Sequence, residues 1–266
     1  MPLTLRSAAG SDVGRRRPLN QDSAVTSPRL LAVADGMGGH AHGEVASSVA
    51  VTALADLDKD LAGTDLAGLD LLGVLARAVT AAADRLTGLA RENTALRGSG
   101  TTVVALLFDG GRVGILHVGD SRAYLVRDGE LVRLTRDHTL VQALVDEGRI
   151  SLEEAREHPR RSMLMRTLQD GNTVEPDLFH HEAQPGDRYL VCSDGVTAVL
   201  GDDEILEVLT SAGEPEAVVA RLIELSNEGG GPDNITCVVA DVVDGEEPVS
   251  DAGPELVGAA AVAPPD

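Results

Sequence analysis

The chain is poor in aromatic residues and in positive charge, and each shortage excludes something. Two tyrosines, two phenylalanines and no tryptophan occur in 266 residues, so Leu, Val and Ala have to fill the core. Lysines and arginines number 22 against 43 aspartates and glutamates, a formal net charge of −21. Phosphate backbones and anionic bilayers are neutralised by Lys and Arg, so nucleic acid and membrane surfaces are excluded as partners. The two cysteines, Cys192 and Cys237, lie far apart in strand-like segments. That spacing predicts buried, unpaired thiols and fits a reducing cytoplasm. No apolar run approaches the length of a membrane span, and the N-terminal residues carry no signal-peptide pattern. What remains is an ordinary hydrophobic fraction of 43%, enough for one domain with a single large core.

One stretch organises the rest. Leu30-Leu31-Ala32-Val33-Ala34 reads as a buried strand and stops on Asp35, with Gly36, Gly38 and Gly39 within the next four residues. Glycine lets the backbone bend sharply and lets its own carbonyl approach a ligand. Carboxylate plus bare carbonyl is the donor set of hard cations such as Mg²⁺ and Mn²⁺. The same device recurs at Asp187–Cys192, which ends on Ser193-Asp194-Gly195. Loops hold Asp120, in Gly119-Asp120-Ser121-Arg122, and Asp233, after Gly229-Gly230-Gly231-Pro232. Near the start, Arg15-Arg16-Arg17 precedes Asp22, an unusual basic run in an acidic chain. Clustered carboxylates repel one another, divalent ions relieve that repulsion, and an arginine adds bidentate capture of phosphate.

Between these points the periodicity predicts helices at 44–61 and 66–92, the second with an apolar stripe through Leu71, Leu75, Val79, Ala82 and Leu86. From 101 to 134 the pattern switches to an antiparallel meander, with Asp128-Gly129 as a hairpin turn. His117 falls inside a strand and reads as packed or hydrogen-bonded. Residues 140–148, 152–157 and 160–168 read as helical and arginine-rich, a surface excursion or a substrate-contacting flap. Helices at 202–211 and 214–227 precede a last strand at 235–240. Beyond Asp244 the composition predicts a disordered acidic tail, 244–266.

In this order the motifs Arg17–Asp22, Asp35-Gly36-Met37-Gly38-Gly39-His40, Gly98-Ser99-Gly100-Thr101-Thr102, Gly119–Tyr124, Asp137-His138, Ser193-Asp194-Gly195 and Pro232-Asp233-Asn234 resemble the metal-dependent serine/threonine protein phosphatases of the type-2C (PPM) family, in their compact bacterial form. The resemblance implies an α+β fold: a four-layer α-β-β-α sandwich of two antiparallel sheets flanked by helix pairs, over residues 1–243, with a flap at about 138–168. It implies two core Mn²⁺ or Mg²⁺ ions and a weaker third. Asp35 would bridge the core pair and Gly36 would lend its carbonyl. Asp194 and Asp233 would hold the second ion, Asp22 would bind through water, and Asp120 would serve the third site. Arg17 would grip the substrate phosphate. The implied partners are phosphorylated proteins, serine/threonine kinases among them, for a monomer. Two positions depart from the pattern: Gln21 stands where relatives carry Glu, and Ala198 where they carry an acidic residue. These departures motivate an alternative, a low-activity phosphatase-like module that binds phosphoproteins or a kinase.

Overall fold

Strands that are apolar at every position need a cover on both faces, and that requirement shapes the molecule. The computed structural model describes residues 3–38, 42–171, 175–211, 213–245 and 253–262. In chain order the first elements are β1 (Leu3–Asp12), β2 (Asp22–Thr26), β3 (Leu30–Met37), α1 (Gly43–Asp60) and α2 (Leu71–Glu92). A meander follows: β4 (Gly100–Thr101), β5 (Val103–Phe108), β6 (Arg112–Val118), β7 (Arg122–Arg127) and β8 (Glu130–Arg133). Then come α3 (Leu140–Asp146), α4 (Leu152–Glu157), β9 (Leu168–Gln169), β10 (Asp177–Glu182) and β11 (Arg188–Cys192). The chain continues through α5 (Asp194–Thr197), α6 (Asp202–Thr210), α7 (Pro215–Glu228), β12 (Ile235–Asp244) and β13 (Glu255–Gly258).

All pairings are antiparallel. One sheet runs β1-β12-β11-β7-β8; the other runs β10-β6-β5-β3-β2-β13, with β4 joining β3 to β9. The period of two sorts each strand between layers. In β3, Leu30, Ala32 and Ala34 point to α1 and α2, while Leu31 and Val33 enter the space between the sheets. In β12, Val238, Ala240 and Val242 face that same central core, and Ile235, Cys237 and Val239 face the helices of the other side. The result is helices, sheet, sheet, helices: the four-layer sandwich that the resemblance implied. Cys192 and Cys237 are buried, unpaired and directly opposite each other across β11 and β12. Among the described residues no helix is long and apolar enough to cross a membrane.

Local chemistry explains the boundaries. The second helix begins at Leu71, later than the periodicity suggested, because Asp70 caps it by accepting a hydrogen bond from the Gly73 N–H at 3.0 Å. The hairpin between β7 and β8 turns on Asp128 (φ 54°) and Gly129 (φ 80°), the left-handed pair that this turn requires.

Three expectations are corrected. Residues 160–168 are not helical. The Leu140 N–H donates to the Met163 carbonyl and the Met165 N–H to the His138 carbonyl, so this stretch pairs with the chain around Thr139 and satisfies its backbone there. β10, which the periodicity did not reveal, covers the free edge of β6. The stretch after Asp244 is not uniformly irregular: Glu255–Gly258 is a strand paired with β2, followed by a 3-10 turn at Ala259–Ala261. The stretch shows no apolar periodicity, but Leu256, Val257 and Ala260 pack on the two cores that meet at this sheet edge. Residues 246–252 and 263–266 of that stretch lie outside the described residues, as do Gly39 and His40 of the glycine motif.

Candidate metal and phosphate site

The carboxylates singled out in sequence converge at one end of the sandwich. Asp35, near the end of β3, lies directly across from Asp22, the first residue of β2. Its backbone is fixed on both sides. The Asp35 N–H donates to Thr102 Oγ1 at 3.0 Å, and the Asp35 carbonyl accepts from the Thr101 hydroxyl and the Thr102 N–H, each at 2.9 Å. Gly36 has to be glycine because a Cβ there would sit 2.2 Å from the Gly43 carbonyl oxygen and 2.4 Å from that of Gln21. Gly195 is constrained likewise: its Cβ would fall 1.9 Å from the Asn234 carbonyl oxygen. This close approach brings Asp194, at the start of α5, beside the loop that carries Asp233.

Arg17, Asp35, Gly36, Asp120, Asp194 and Asp233 line a cavity of about 200 Å³, together with Gln21, Met37, Gly38, Thr102 and Asn234. Ser162 and Leu164, from the stretch between α4 and β9, also line it. Asp22 is not on the wall; it is 1% exposed and lies behind Asp35. Arg17 is half-exposed and donates from Nη2 to Asp233 Oδ2 at 2.5 Å.

Burial and mutual repulsion push Asp22, Asp35, Asp120 and Asp194 toward their protonated forms. Burial raises Asp22 to about 7, with the charges of Asp194 and Asp233 adding to it. Asp120 rises to about 8 through burial and the nearby Asp194. Asp194 rises to about 6, again through burial and then Asp233. Asp35 is driven well above the carboxylate range by burial and by Asp22, Asp194, Asp120 and Asp233 together. Carboxylates placed this close need protons or cations among them. Asp22 adds a geometric sign: Oδ2 accepts from the Ser193 hydroxyl at 2.7 Å, but the buried Oδ1 has no partner. An orphaned buried oxygen beside four more carboxylates fits a site built for hard divalent cations.

Sequence reasoning named the charged residues and missed those that position them. Asn234 is one. Its Oδ1 accepts from the Gln21 N–H at 2.8 Å, and its Nδ2 donates to the carbonyls of Val13 and Leu19, each at 2.9 Å. A single amide thus ties down the loop that carries Arg17. The signal in the sequence was an amide beside Asp233; its partners were more than 200 residues away. Asn234→Ala removes three hydrogen bonds to backbone groups, so we expect a loss of about 2–3 kcal/mol in a denaturant titration. Unchanged stability would show that water replaces the amide. Gln21, the residue that departs from Glu, donates from Nε2 to Glu44 at 3.0 Å, which places a carboxylate next to the neutral amide. Ala198 is exposed at the end of α5, and its N–H donates to the Asp194 carbonyl at 2.7 Å.

A second cluster has a different chemistry. His117, His138 and Asp177 bring ligand-type atoms within 4.8 Å of one another. The Gly119 N–H donates to His138 Nδ1 at 3.1 Å, so Nε2 carries the proton and offers it to Asp177 Oδ2 at 3.0 Å. Arg166 donates to the other Asp177 oxygen at 2.9 Å. With a proton and a guanidinium in place, this is a hydrogen-bonded brace between β10 and the Gly119–Asp120 turn. His117 is packed and hydrogen-bonded to the Ser121 carbonyl at 3.1 Å, and burial lowers it to about 4.

Comparison with known proteins bears on the sequence and the fold. The family described as Protein phosphatase 2C matches residues 10–226. The serine/threonine protein phosphatase PstP of Mycobacterium tuberculosis is 52% identical over 242 residues, which are 91% of this chain and 46% of that protein. The chain therefore spans about half the length of this relative. The serine/threonine phosphatase stp of Listeria monocytogenes is 36% identical over 236 residues, 87% of this chain and 93% of the relative. Among solved structures, the catalytic domain of PstP in complex with two manganese ions superposes with a TM-score of 0.83 at 52% identity, covering 91% of this chain and all of that one. Seven ordered motifs, a four-layer sandwich and these matches lead to one conclusion: the chain belongs to the protein phosphatase 2C family.

Proposed function

We propose that this chain is a metal-dependent phosphatase that hydrolyses phosphoserine and phosphothreonine on proteins. The observation that carries the reading is the set of four carboxylates around a small cavity, with Asp22 behind Asp35 as a fifth and an arginine at the rim. Asp35, the Gly36 carbonyl, Asp194 and Asp233 would hold two Mn²⁺ or Mg²⁺ ions, Asp22 would act on them through water, and Asp120 would face a weaker third. When bound, such ions supply an acidified water and positive charge against the phosphoryl oxygens. Arg17 can turn its guanidinium from Asp233 to a phosphate, whose oxygens match the fork of donors. Ser162 and Leu164 stand over the same cavity, where a phosphorylated side chain would enter. Gln21 and Ala198 leave this carboxylate set complete, so no observation favours a binding module without turnover. Phosphorylated proteins, serine/threonine kinases among them, are the proposed partners of a cytoplasmic monomer.

The test is hydrolysis of a phosphothreonine peptide with Mn²⁺, with Mg²⁺ and with chelator. Activity that needs the metal is expected; equal rates in chelator would overturn the proposal. Arg17 separates substrate from metal. Arg17→Ala is expected to raise KM for the peptide about tenfold or more, the size of a lost charge-assisted contact, with little change in the Mn²⁺ requirement. A larger effect from Arg16→Ala would assign the phosphate contact to the neighbouring residue.

A further inference from the structure

We propose that residues 255–260 are a positioning segment for the metal site: they add a strand to β2 and fix the backbone height of Asp22. This rests on the metal-dependent reading above. The family match ends at residue 226, so nothing in it describes this segment.

The pairing is in register, Glu255 with Thr26, Leu256 with Val25, Val257 with Ala24 and Gly258 with Ser23. β2 would otherwise be the edge of its sheet, with one row of backbone groups unpaired. Alternation places Leu256 on the core under α1 and α2, and Val257 on the core between the sheets. The segment therefore closes both layers at the strand that starts with Asp22.

Gly258 carries the argument to the site. Its φ of 72° turns the chain out of the strand, and a Cβ there would fall 2.3 Å from the Asp22 carbonyl oxygen and 3.0 Å from Ser11 Oγ. Backbone rests directly on the backbone of Asp22. On the near side of that contact, Asn20 Oδ1 accepts from the Asp22 N–H at 3.1 Å, and Asn20 Nδ2 donates to Ser11 Oγ at 2.8 Å. Beyond Gly258, the Ala260 N–H donates to Ser23 Oγ at 3.1 Å. Ser23 Oγ lies 2.9 Å from Ser47 Oγ, which in turn donates to the Gln21 carbonyl at 2.6 Å. Residues 22 and 23 thus touch Gly258 or Ala260 directly, and residue 21 is linked to Ala260 by a chain of three hydrogen bonds. Groups that orient a ligand from behind commonly change metal affinity by about 10- to 100-fold when removed.

The experiment uses the full chain with Gly258→Val, and with Gly253→Val as control, since a Cβ at Gly253 meets nothing within 4 Å. Three quantities are read: Mn²⁺ binding by titration calorimetry, hydrogen exchange of the residue 22–26 amides in metal-free protein, and turnover of a phosphothreonine peptide against Mn²⁺ concentration. Gly258→Val is expected to weaken Mn²⁺ binding about tenfold, to speed exchange across β2, and to leave turnover at saturating Mn²⁺ near that of the unsubstituted chain. Gly253→Val should change none of these. Should Gly258→Val not fold, Gly258→Ala and Ser23→Ala decide, each moving Mn²⁺ binding and exchange the same way by a smaller factor. Unchanged exchange and unchanged Mn²⁺ binding in a folded variant overturn the inference. An unsubstituted chain that binds no Mn²⁺ overturns the metal reading itself, a separate result from loss of binding in the variant alone.

Discussion

Asp35→Asn is expected to reduce Mn²⁺-dependent phosphatase activity about a thousandfold or more, while making the metal-free protein more stable. The two effects have one cause. Asp35 is buried among Asp22, Asp194, Asp120 and Asp233, which together hold its carboxyl well above the ordinary range. In the absence of cations that crowding is a cost of folding, and a neutral amide of the same shape removes part of it. The melting temperature of chelated protein should therefore rise by several degrees, on the order of 1–2 kcal/mol for a chain of this size. With cations present the same substitution removes the anionic group proposed to hold them, and losing one pre-placed electrostatic group typically costs 10²–10³ in rate, more where it also loosens a metal. Thermal melts in chelator and turnover at saturating Mn²⁺ check both halves. Near-native turnover would sink the two-ion assignment. A lower melting temperature in chelator would mean that Asp35 is held by partners worth more than the repulsion it feels.

The second large effect is the pH dependence of metal-free stability. Asp194, Asp22 and Asp120 sit at about 6, 7 and 8, raised chiefly by burial. In the unfolded chain each returns to about 4. Between these values the folded protein binds more protons than the unfolded one, so stability falls as pH rises. The contribution is complete below about pH 4 and is lost as pH climbs through about 6 to 8. Metal-free protein should lose about 10 °C in melting temperature between about pH 5 and pH 8. Saturating Mn²⁺ should flatten that slope, because a cation replaces the protons that the cluster otherwise needs. In Asp35→Asn the slope in chelator should be shallower than in the unsubstituted chain. A metal-free melting temperature that rises over this interval would show that the carboxylates are ionised and separately compensated.

How much of this was legible beforehand depends on the range of the interactions. The strands that carry the site announce themselves locally: an apolar run that stops on Asp35 or Asp194 and a glycine beside it need only neighbouring residues to be understood. The glycines are legible as turns, but the reason for Gly36 and Gly195 is not. Each yields to a backbone carbonyl from a distant segment, Gly43 and Gln21 in one case and Asn234 in the other. The stretch 160–168 reads as helical on composition, yet its backbone hydrogen bonds go to residues around Thr139, a choice made by tertiary pairing.

The sequence by itself determined the chemistry available: an acidic chain with its carboxylates at strand ends, an arginine ahead of Asp22, and periods of two and 3.6 that alternate as a layered sandwich requires. Those are properties of residue type and local spacing. The tertiary structure alone decided that four carboxylates share one cavity with Asp22 behind them, that Asn234 holds the arginine loop across more than 200 residues, and that Leu256 and Val257 are a strand. The last case shows why. Four residues with two apolar side chains carry too little local signal to order themselves, and they become a strand only because β2 leaves an unpaired edge between two cores for them to complete.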